Sequence, residues 1–331
     1  MTTRRSCFLA APLLLALALA GCSQQAAILG LTGGTLFQGF DALAYPGDQV
    51  KVTARLQGGD FLQGLEGYLV GFYQLDRRLG QARTDQDGNA EIEVTAPAAG
   101  HLCLLARLED PDVRKTALPA AEIIVAARPK EARMIVVDLD QTIVGGTLGD
   151  VLARRAPPIA DSQAVLTRAA KDYTIVYLTD RSAMFTAVTK NWLRQYDYPL
   201  GPLLTNSPTG FLVGSEKFKT AALKALKARY PAIQWGIGDQ PGDARAYTAN
   251  GLTPILLLHP EKMTRPEDVR LWIHHLQSLP AGVEAVDSWP QVEQVLYAGA
   301  HYPPTDAVQR LTKKFEAAMQ EMIKRSEETG Q

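Results

Sequence analysis

The chain has 331 residues, 46% hydrophobic and 21% charged, which is the composition of a folded protein long enough for two domains. Its formal charge of −1 gives no long-range pull on nucleic acid, so no nucleic-acid partner is expected. Its three cysteines, two of them near the N-terminus, offer no disulfide framework.

Residues 1–21 read as a signal segment. Arg4 and Arg5 precede an apolar run from Phe8 to Ala20 that is too short to span a bilayer. Leu19-Ala20-Gly21-Cys22 then resembles the lipobox of bacterial lipoproteins, which implies cleavage before Cys22 and lipid on its thiol. The resemblance implies a protein held on the membrane through Cys22, and Ser23 points to the periplasmic face of the outer membrane. Cys7 leaves with the signal, so only Cys103 is left, within the run Leu102–Ala106, where it reads as a small buried hydrophobe. Residues 22–46, rich in Gly, Gln and Ala, read as a tether.

From 47 to 128 the pattern is that of short strands. Val50, Val52, Ala54 and Leu56 alternate with polar residues, as do Ala90, Ile92 and Val94. Tyr68–Tyr73, His101–Leu108 and Ile123–Val125 are further strand candidates, and together they predict a small all-β, immunoglobulin-like sandwich. Asp85-Gln86-Asp87-Gly88-Asn89 reads as a turn with a left-handed Gly88; a calcium loop would need an acid where Ala96 stands.

Ala127–Glu131 marks a boundary. Over 132–300 strands and helices alternate, which predicts βαβ units around a parallel sheet. The expected strands are Met134–Leu139, Thr174–Leu178, Pro202–Leu204, Ile233–Ile237, Pro254–Leu258 and Val283–Val286. The expected helices lie near Ser162–Asp172, Ala183–Tyr196, Lys217–Tyr230, Gly242–Asn250 and Trp289–Tyr297. Residues 301–331 form a last helix, with Val308, Leu311, Phe315, Ala318 and Met322 on a narrow seam best explained by packing on its own domain.

The chemistry concentrates at strand ends. Met134–Val137 is apolar enough to be buried on both faces, and Asp138 and Asp140 follow it at spacing i, i+2, which in extended chain sends both carboxylates to one side. Ligands of open α/β sheets bind beyond that end of the strands, and two close like charges call for a shared cation or proton. The strand 173–178 ends in Thr179, Asp180 and Arg181, and a hydroxyl there can serve a phosphate oxygen. Lys217 and Lys219 open a helix, and Gly238-Asp239 closes a strand with Asp243 four residues on.

As an ordered set these motifs resemble the haloacid dehalogenase-like phosphohydrolase superfamily: Asp138-x-Asp140-x-Thr142, Thr179, a lysine within 217–219, and Gly238-Asp239-x-x-x-Asp243. Tyr177-Leu178-Thr179, Gly201–Leu204, Glu216–Lys219 and Gly238–Tyr247 narrow it to a likeness with the phosphatase domain of lipins and phosphatidylinositol-transfer proteins. In that group Asp180 replaces a small residue and Asp239 replaces a common Asn. The resemblance implies an α/β fold with a Rossmannoid parallel sheet, flanking helices and no large cap. It implies Asp138 as nucleophile, Asp140 as acid and base, and Thr179 and Lys219, with Lys217 in reserve, as catalytic groups holding phosphate oxygens. Mg²⁺ is implied as cofactor, held by Asp138, Asp239 and the backbone carbonyl of Asp140, with Asp243 supporting these ligands or binding the ion through water. Thr142, Asp180 and Arg181 join Thr179 and Lys219 as expected substrate contacts. The implied substrate is a phosphate ester, with a phosphatidate-like lipid favoured over a soluble ester or a purely binding role. The segments between Thr142 and Thr174 and between Thr179 and Lys217 are too short for a cap domain, which leaves an open site suited to bulky substrates.

Overall fold

Alternation of apolar and polar residues makes the N-terminal half a β structure. Its strands are β1 (Leu31–Thr32), β2 (Thr35–Gly39), β3 (Ala42–Ala44), β4 (Gln49–Gly58), β5 (Gln63–Gly64), β6 (Leu69–Gln74), β7 (Arg77–Arg83), β8 (Asn89–Thr95), β9 (Gly100–Leu108) and β10 (Ala121–Ala127). The structure, a computed structural model, describes residues 31–32, 34–59, 62–110, 118–207 and 214–329. The expected signal segment and Cys22 lie outside the described residues. No described helix is long and apolar enough to cross a membrane.

The strands form two sheets, β1-β2-β4-β5 with β8 also on β4, and β3-β10-β9-β6-β7. Phe37, Val52, Leu56 and Ala90 of the first share one core with Val70, Phe72, Leu104 and Ile123 of the second. Gly88 has a φ of +80°, and the Asp85 carboxylate accepts from the amides of Asp87 and Asn89 at 2.9 and 2.8 Å, closing the expected turn. Two expectations fail here. Residues 35–39 and 42–44 are not tether but β2 and β3, because Leu36 and Phe37 bury their side chains in the sheet. Cys103 is exposed, since alternation along β9 sends Leu102, Leu104 and Ala106 inward and Cys103 out.

The second half is an α/β domain: β11 (Met134–Val137), α1 (Leu148–Leu152), α2 (Ser162–Ala169), β12 (Thr174–Ser182), α3 (Thr186–Gln195), β13 (Leu203–Asn206), α4 (Ser215–Arg229), β14 (Ile233–Gly238), α5 (Pro241–Ala249), β15 (Thr253–Leu257), α6 (Pro266–Gln277), β16 (Glu284–Val286), α7 (Trp289–Ala298) and α8 (Pro304–Thr329). Its sheet runs β13-β12-β11-β14-β15-β16, every pair parallel. Ile135, Val137, Ile175 and Tyr177 face one way, against α2, α3 and α7. Met134, Val136, Val176 and Leu178 face the other, against α4 and α5. Burial on both faces explains the unbroken apolar runs.

Helix α6 is not among the expected elements. Its Val269 and Leu276 are buried beside Ala307 and Leu311 of α8, with Val308 and Phe315 packed against them, so the first part of the α8 seam packs on its own domain, while the side chain of Met322 lies outside the described residues.

The β half caps the start of the β13 edge of the parallel sheet. Asp41, between β2 and β3, accepts from the Leu203 amide at the start of β13 (2.9 Å), the Ile124 amide (2.7 Å) and Lys190 Nζ of α3 (2.6 Å). An open edge is a pairing hazard, and here it is capped by a buried ion pair.

Candidate active site

The register of the sheet determines where the acids meet. Val137 lies opposite Tyr177 of β12 and Ile237 of β14. The chain therefore leaves β11 at Asp138 and β14 at Asp239 at nearly the level of Thr179 in β12, and adjacent strands lie about 4.8 Å apart. The Asp138 amide donates to the Ile237 carbonyl at 2.9 Å, tying the start of the acidic turn to β14.

Asp138, Asp239 and Asp243 are all buried, and each offers one carboxylate oxygen within 4.8 Å of the others. Asp243 arrives on the first turn of α5, where its Oδ2 accepts from the Gln240 amide at 3.1 Å as part of a capping box. Gly238 is required there: a Cβ at that position would sit 2.5 Å from Asp243 Oδ2. Gln240 also donates its side-chain amide to Asp239.

One cation offsets part of the charge of the three acids. Lys219, on the first turns of α4, is buried, and its Nζ lies 2.8 Å from Asp138 Oδ1 and 2.6 Å from Asp243 Oδ1. Lys217 is exposed, so Lys219 is the inward lysine. Burial pushes the Asp138 carboxyl up to about 6, with Lys219 opposing and Asp243 adding to the rise. Burial, then the charges of Asp138 and Asp243, pushes Asp239 up to about 8. Burial works against the Lys219 ammonium, yet Asp138 and Asp243 hold it well above the ordinary lysine value. Three buried carboxylates and one ammonium leave excess negative charge among oxygen donors, which fits a small hard divalent cation.

The other expected residues divide. Thr142 is buried and donates to Asp138 Oδ2 across 3.4 Å, while its carbonyl accepts from Trp289 Nε1 at 3.0 Å. Thr179 is buried within β12, just before its register with β13 shifts, and its hydroxyl accepts from the Arg181 amide at 3.2 Å. Asp140 keeps its carboxylate apart from the three clustered acids: Oδ2 and Oδ1 accept from Arg181 Nε and Nη2 at 2.8 and 2.7 Å. Its expected ligand atom is the backbone carbonyl, which this pairing does not use. Asp180 accepts from Asn206 Nδ2 of β13 at 2.6 Å. Arg181 and Asp180, expected to meet substrate, are thus both engaged within the protein, because the pairing of β12 with β11 on one side and β13 on the other brings Asp140 and Asn206 beside them.

Beside Asp239 opens a cavity of about 490 Å³ whose wall combines His259 and Lys262 with Met263, Leu271 and Trp272. Leu271 is 54% exposed. His259 bonds the Gln141 carbonyl at 2.6 Å and Lys262 donates to the Gln141 side chain, bracing the residue after Asp140 at a φ of +58°. None of these wall residues stood out in the sequence: Leu271 and Trp272 lie on α6, which was not expected, and His259, Lys262 and Met263 lie in the connection from β15 that carries no motif.

No curated protein matches the chain. Among solved structures it is similar to a chain of the Pnkp1/Rnl/Hen1 RNA repair complex, with 16% identity over 40% of this chain and 44% of that one and a TM-score of 0.35. A second Pnkp1/Rnl/Hen1 structure gives 16% identity, coverages of 41% and 52%, and a TM-score of 0.35. A β-glucuronidase of Parabacteroides merdae gives 9% identity, coverages of 67% and 34%, and a TM-score of 0.29. The chain spans about half or less of the length of these proteins. Residues 135–256, which carry every site residue named above up to Asp243, match the family model of the LNS2 domain of PITM 1-3, a family associated with phosphatase and lipid-related function.

Proposed function

We propose that the protein is a Mg²⁺-dependent phosphomonoester hydrolase of the haloacid dehalogenase-like type, acting through an aspartyl-phosphate on Asp138. The observation that carries this reading is the buried group of Asp138, Asp239 and Asp243 around Lys219, beyond the ends of adjacent parallel strands. Asp138, Asp239 and Asp243 would hold Mg²⁺ together with the Asp140 carbonyl. When bound, the ion offsets the repulsion between a phosphate dianion and these carboxylates.

The residues themselves do the rest. An Asp138 oxygen attacks phosphorus, and the ester P–O bond breaks with its electron pair going to the leaving oxygen. Asp140 supplies the proton that oxygen needs, then takes one from the water that cleaves the aspartyl-phosphate. With a pKa of about 6, Asp138 is ionised at neutral pH, as a nucleophile must be. Lys219 and Thr179 would hold the phosphate oxygens as these gain charge.

The favoured substrate is a phosphatidate-like lipid phosphate. Among the described residues only α1 and α2 lie between β11 and β12, and only a 3-10 turn (Ala183–Phe185), α3 and β13 between β12 and α4, so neither described stretch forms a cap domain over the site. The cavity beside Asp239 sets an apolar wall of Met263, Leu271 and Trp272 beside the polar groups Lys262 and Asp268, which suits an amphiphilic leaving group better than a small polar alcohol. A lipid on Cys22 would keep this open site beside a bilayer on the periplasmic side of the outer membrane. The test is Mg²⁺-dependent phosphate release from phosphatidate and from p-nitrophenyl phosphate, with Asp138→Asn as control. Activity on both esters, lost in the variant, supports the reading. Equal rates for wild type and variant overturn it, and turnover of p-nitrophenyl phosphate alone overturns the lipid assignment.

A further inference from the structure

We propose that Arg181 is the positioning residue of Asp140 and not a ligand of the substrate phosphate; this rests on the phosphatase reading above. The guanidinium is fixed on every side. Its side chain is 2% exposed, Nε and Nη2 form a two-point contact with the Asp140 carboxylate at 2.8 and 2.7 Å, and Nη1 donates to Thr189 Oγ1 of α3 at 3.0 Å. Each nitrogen already has a partner within the protein, and the two N–H groups left over are closed off from solvent and from an incoming phosphate. Asp140 is the opposite case. Its side chain is 34% exposed, it lies in the turn after β11, and among the described residues its carboxylate has no hydrogen-bond partner except Arg181. A half-exposed carboxylate samples several rotamers unless something holds it, and the planar fork of an arginine holds it in both position and plane.

The consequence for the reaction is specific. In the first half Asp140 carries a proton on one oxygen, which turns from the guanidinium to the leaving oxygen while the other stays on Arg181. The proton passes to the leaving oxygen as the ester bond breaks. In the second half the freed carboxylate takes a proton from water as the water oxygen bonds to phosphorus and the P–O bond to Asp138 breaks. Arg181 is the fixed point in both. Its loss therefore costs most where the leaving group most needs a proton, whereas a phosphate ligand or a purely structural ion pair would matter equally for every ester.

The experiment compares aryl phosphates of one shape, from p-nitrophenyl, which departs without a proton, to p-methoxyphenyl, which needs one. The proteins are wild type, Arg181→Ala, Arg181→Lys, Thr189→Val, Asp140→Ala and the double variant Arg181→Ala/Asp140→Ala. For Arg181→Ala, kcat/KM on the p-methoxyphenyl ester is expected to fall about 100-fold and on the p-nitrophenyl ester less than about 10-fold, the range set by general acid catalysis. Arg181→Lys and Thr189→Val should fall between, and Arg181→Ala should add nothing to the ratio of the two esters once Asp140 is gone. The ratio is independent of the fraction of folded enzyme, so partial unfolding of a variant does not blur the result. An unchanged ratio in Arg181→Ala, or an equal rise of KM for both esters, overturns the proposal while leaving the phosphatase reading intact. Absence of hydrolysis by wild type overturns both.

Discussion

Replacing Lys219 by Met removes the single ammonium from the acidic group while keeping most of the aliphatic stem. Contacts of 2.8 and 2.6 Å disappear, and Asp138 and Asp243 are left buried beside Asp239 with oxygens within 4.8 Å. Breaking a buried pair by removing one partner costs about 3–5 kcal/mol. Proton uptake relieves part of that cost, and the relief depends on pH. Asp138 and Asp239 have folded values near 6 and 8, above their ordinary carboxylate range, so their contribution to stability is full at low pH and lost as pH rises through those values. Without Lys219 both rise further. The destabilisation is therefore expected at the upper end of the range at pH 8 and to shrink by half or more, to about 1–2 kcal/mol, at pH 5. Trp192, Trp235, Trp272 and Trp289 all lie in the α/β domain, so urea unfolding followed by tryptophan fluorescence reports that domain alone. Mg²⁺ should restore more stability to the variant than to wild type, because the ammonium no longer competes for the acids. A loss below about 1 kcal/mol at pH 8, or one no larger than at pH 5, would refute the reasoning.

Other outcomes follow from the same geometry. Mg²⁺ binding at pH 7 is expected to release about one proton, since Asp239 at about 8 is protonated there; calorimetry in two buffers of different ionisation heat measures it, and an affinity that does not strengthen from pH 6 to 8 would contradict it. Gly238→Ala drives a Cβ to 2.5 Å from Asp243 Oδ2, so it should cost about 1–3 kcal/mol and weaken Mg²⁺ binding, read by urea titration and calorimetry. Asp41→Ala strips the Leu203 and Ile124 amides and Lys190 of their shared acceptor, and scanning calorimetry should show the β and α/β halves melting separately after a loss of about 3–5 kcal/mol. A single transition at the wild-type temperature would count against that interface.

The sequence revealed the site better than its supports. Met134–Val137 is an apolar run ending in acids, and period and spacing alone place Asp138 beyond a buried strand. The same holds for Asp239 after β14, because each motif carries its own local context. The partners of the motifs were not legible. Arg181 lies 41 positions from Asp140, and only the pairing of β12 with β11 brings the two together. Helix α6 escaped notice because its apolar positions are interleaved with charged and polar residues, although Val269, Trp272, Ile273 and Leu276 share a face. In the β half, composition misled: Gly and Gln around Leu36 and Phe37 hid a strand. The apolar run at Leu102–Ala106 likewise concealed an alternation that turns Cys103 outward.

The most direct measurement is a rapid acid quench of the enzyme with Mg²⁺ and p-nitrophenyl phosphate, followed by mass spectrometry of the peptide that spans 134–144. The account predicts phosphate bound to the Asp138 carboxyl in wild type, accumulating in Asp140→Ala and absent from Asp138→Asn. Product formation with no phosphate on Asp138 at any time, in wild type or in Asp140→Ala, would contradict it.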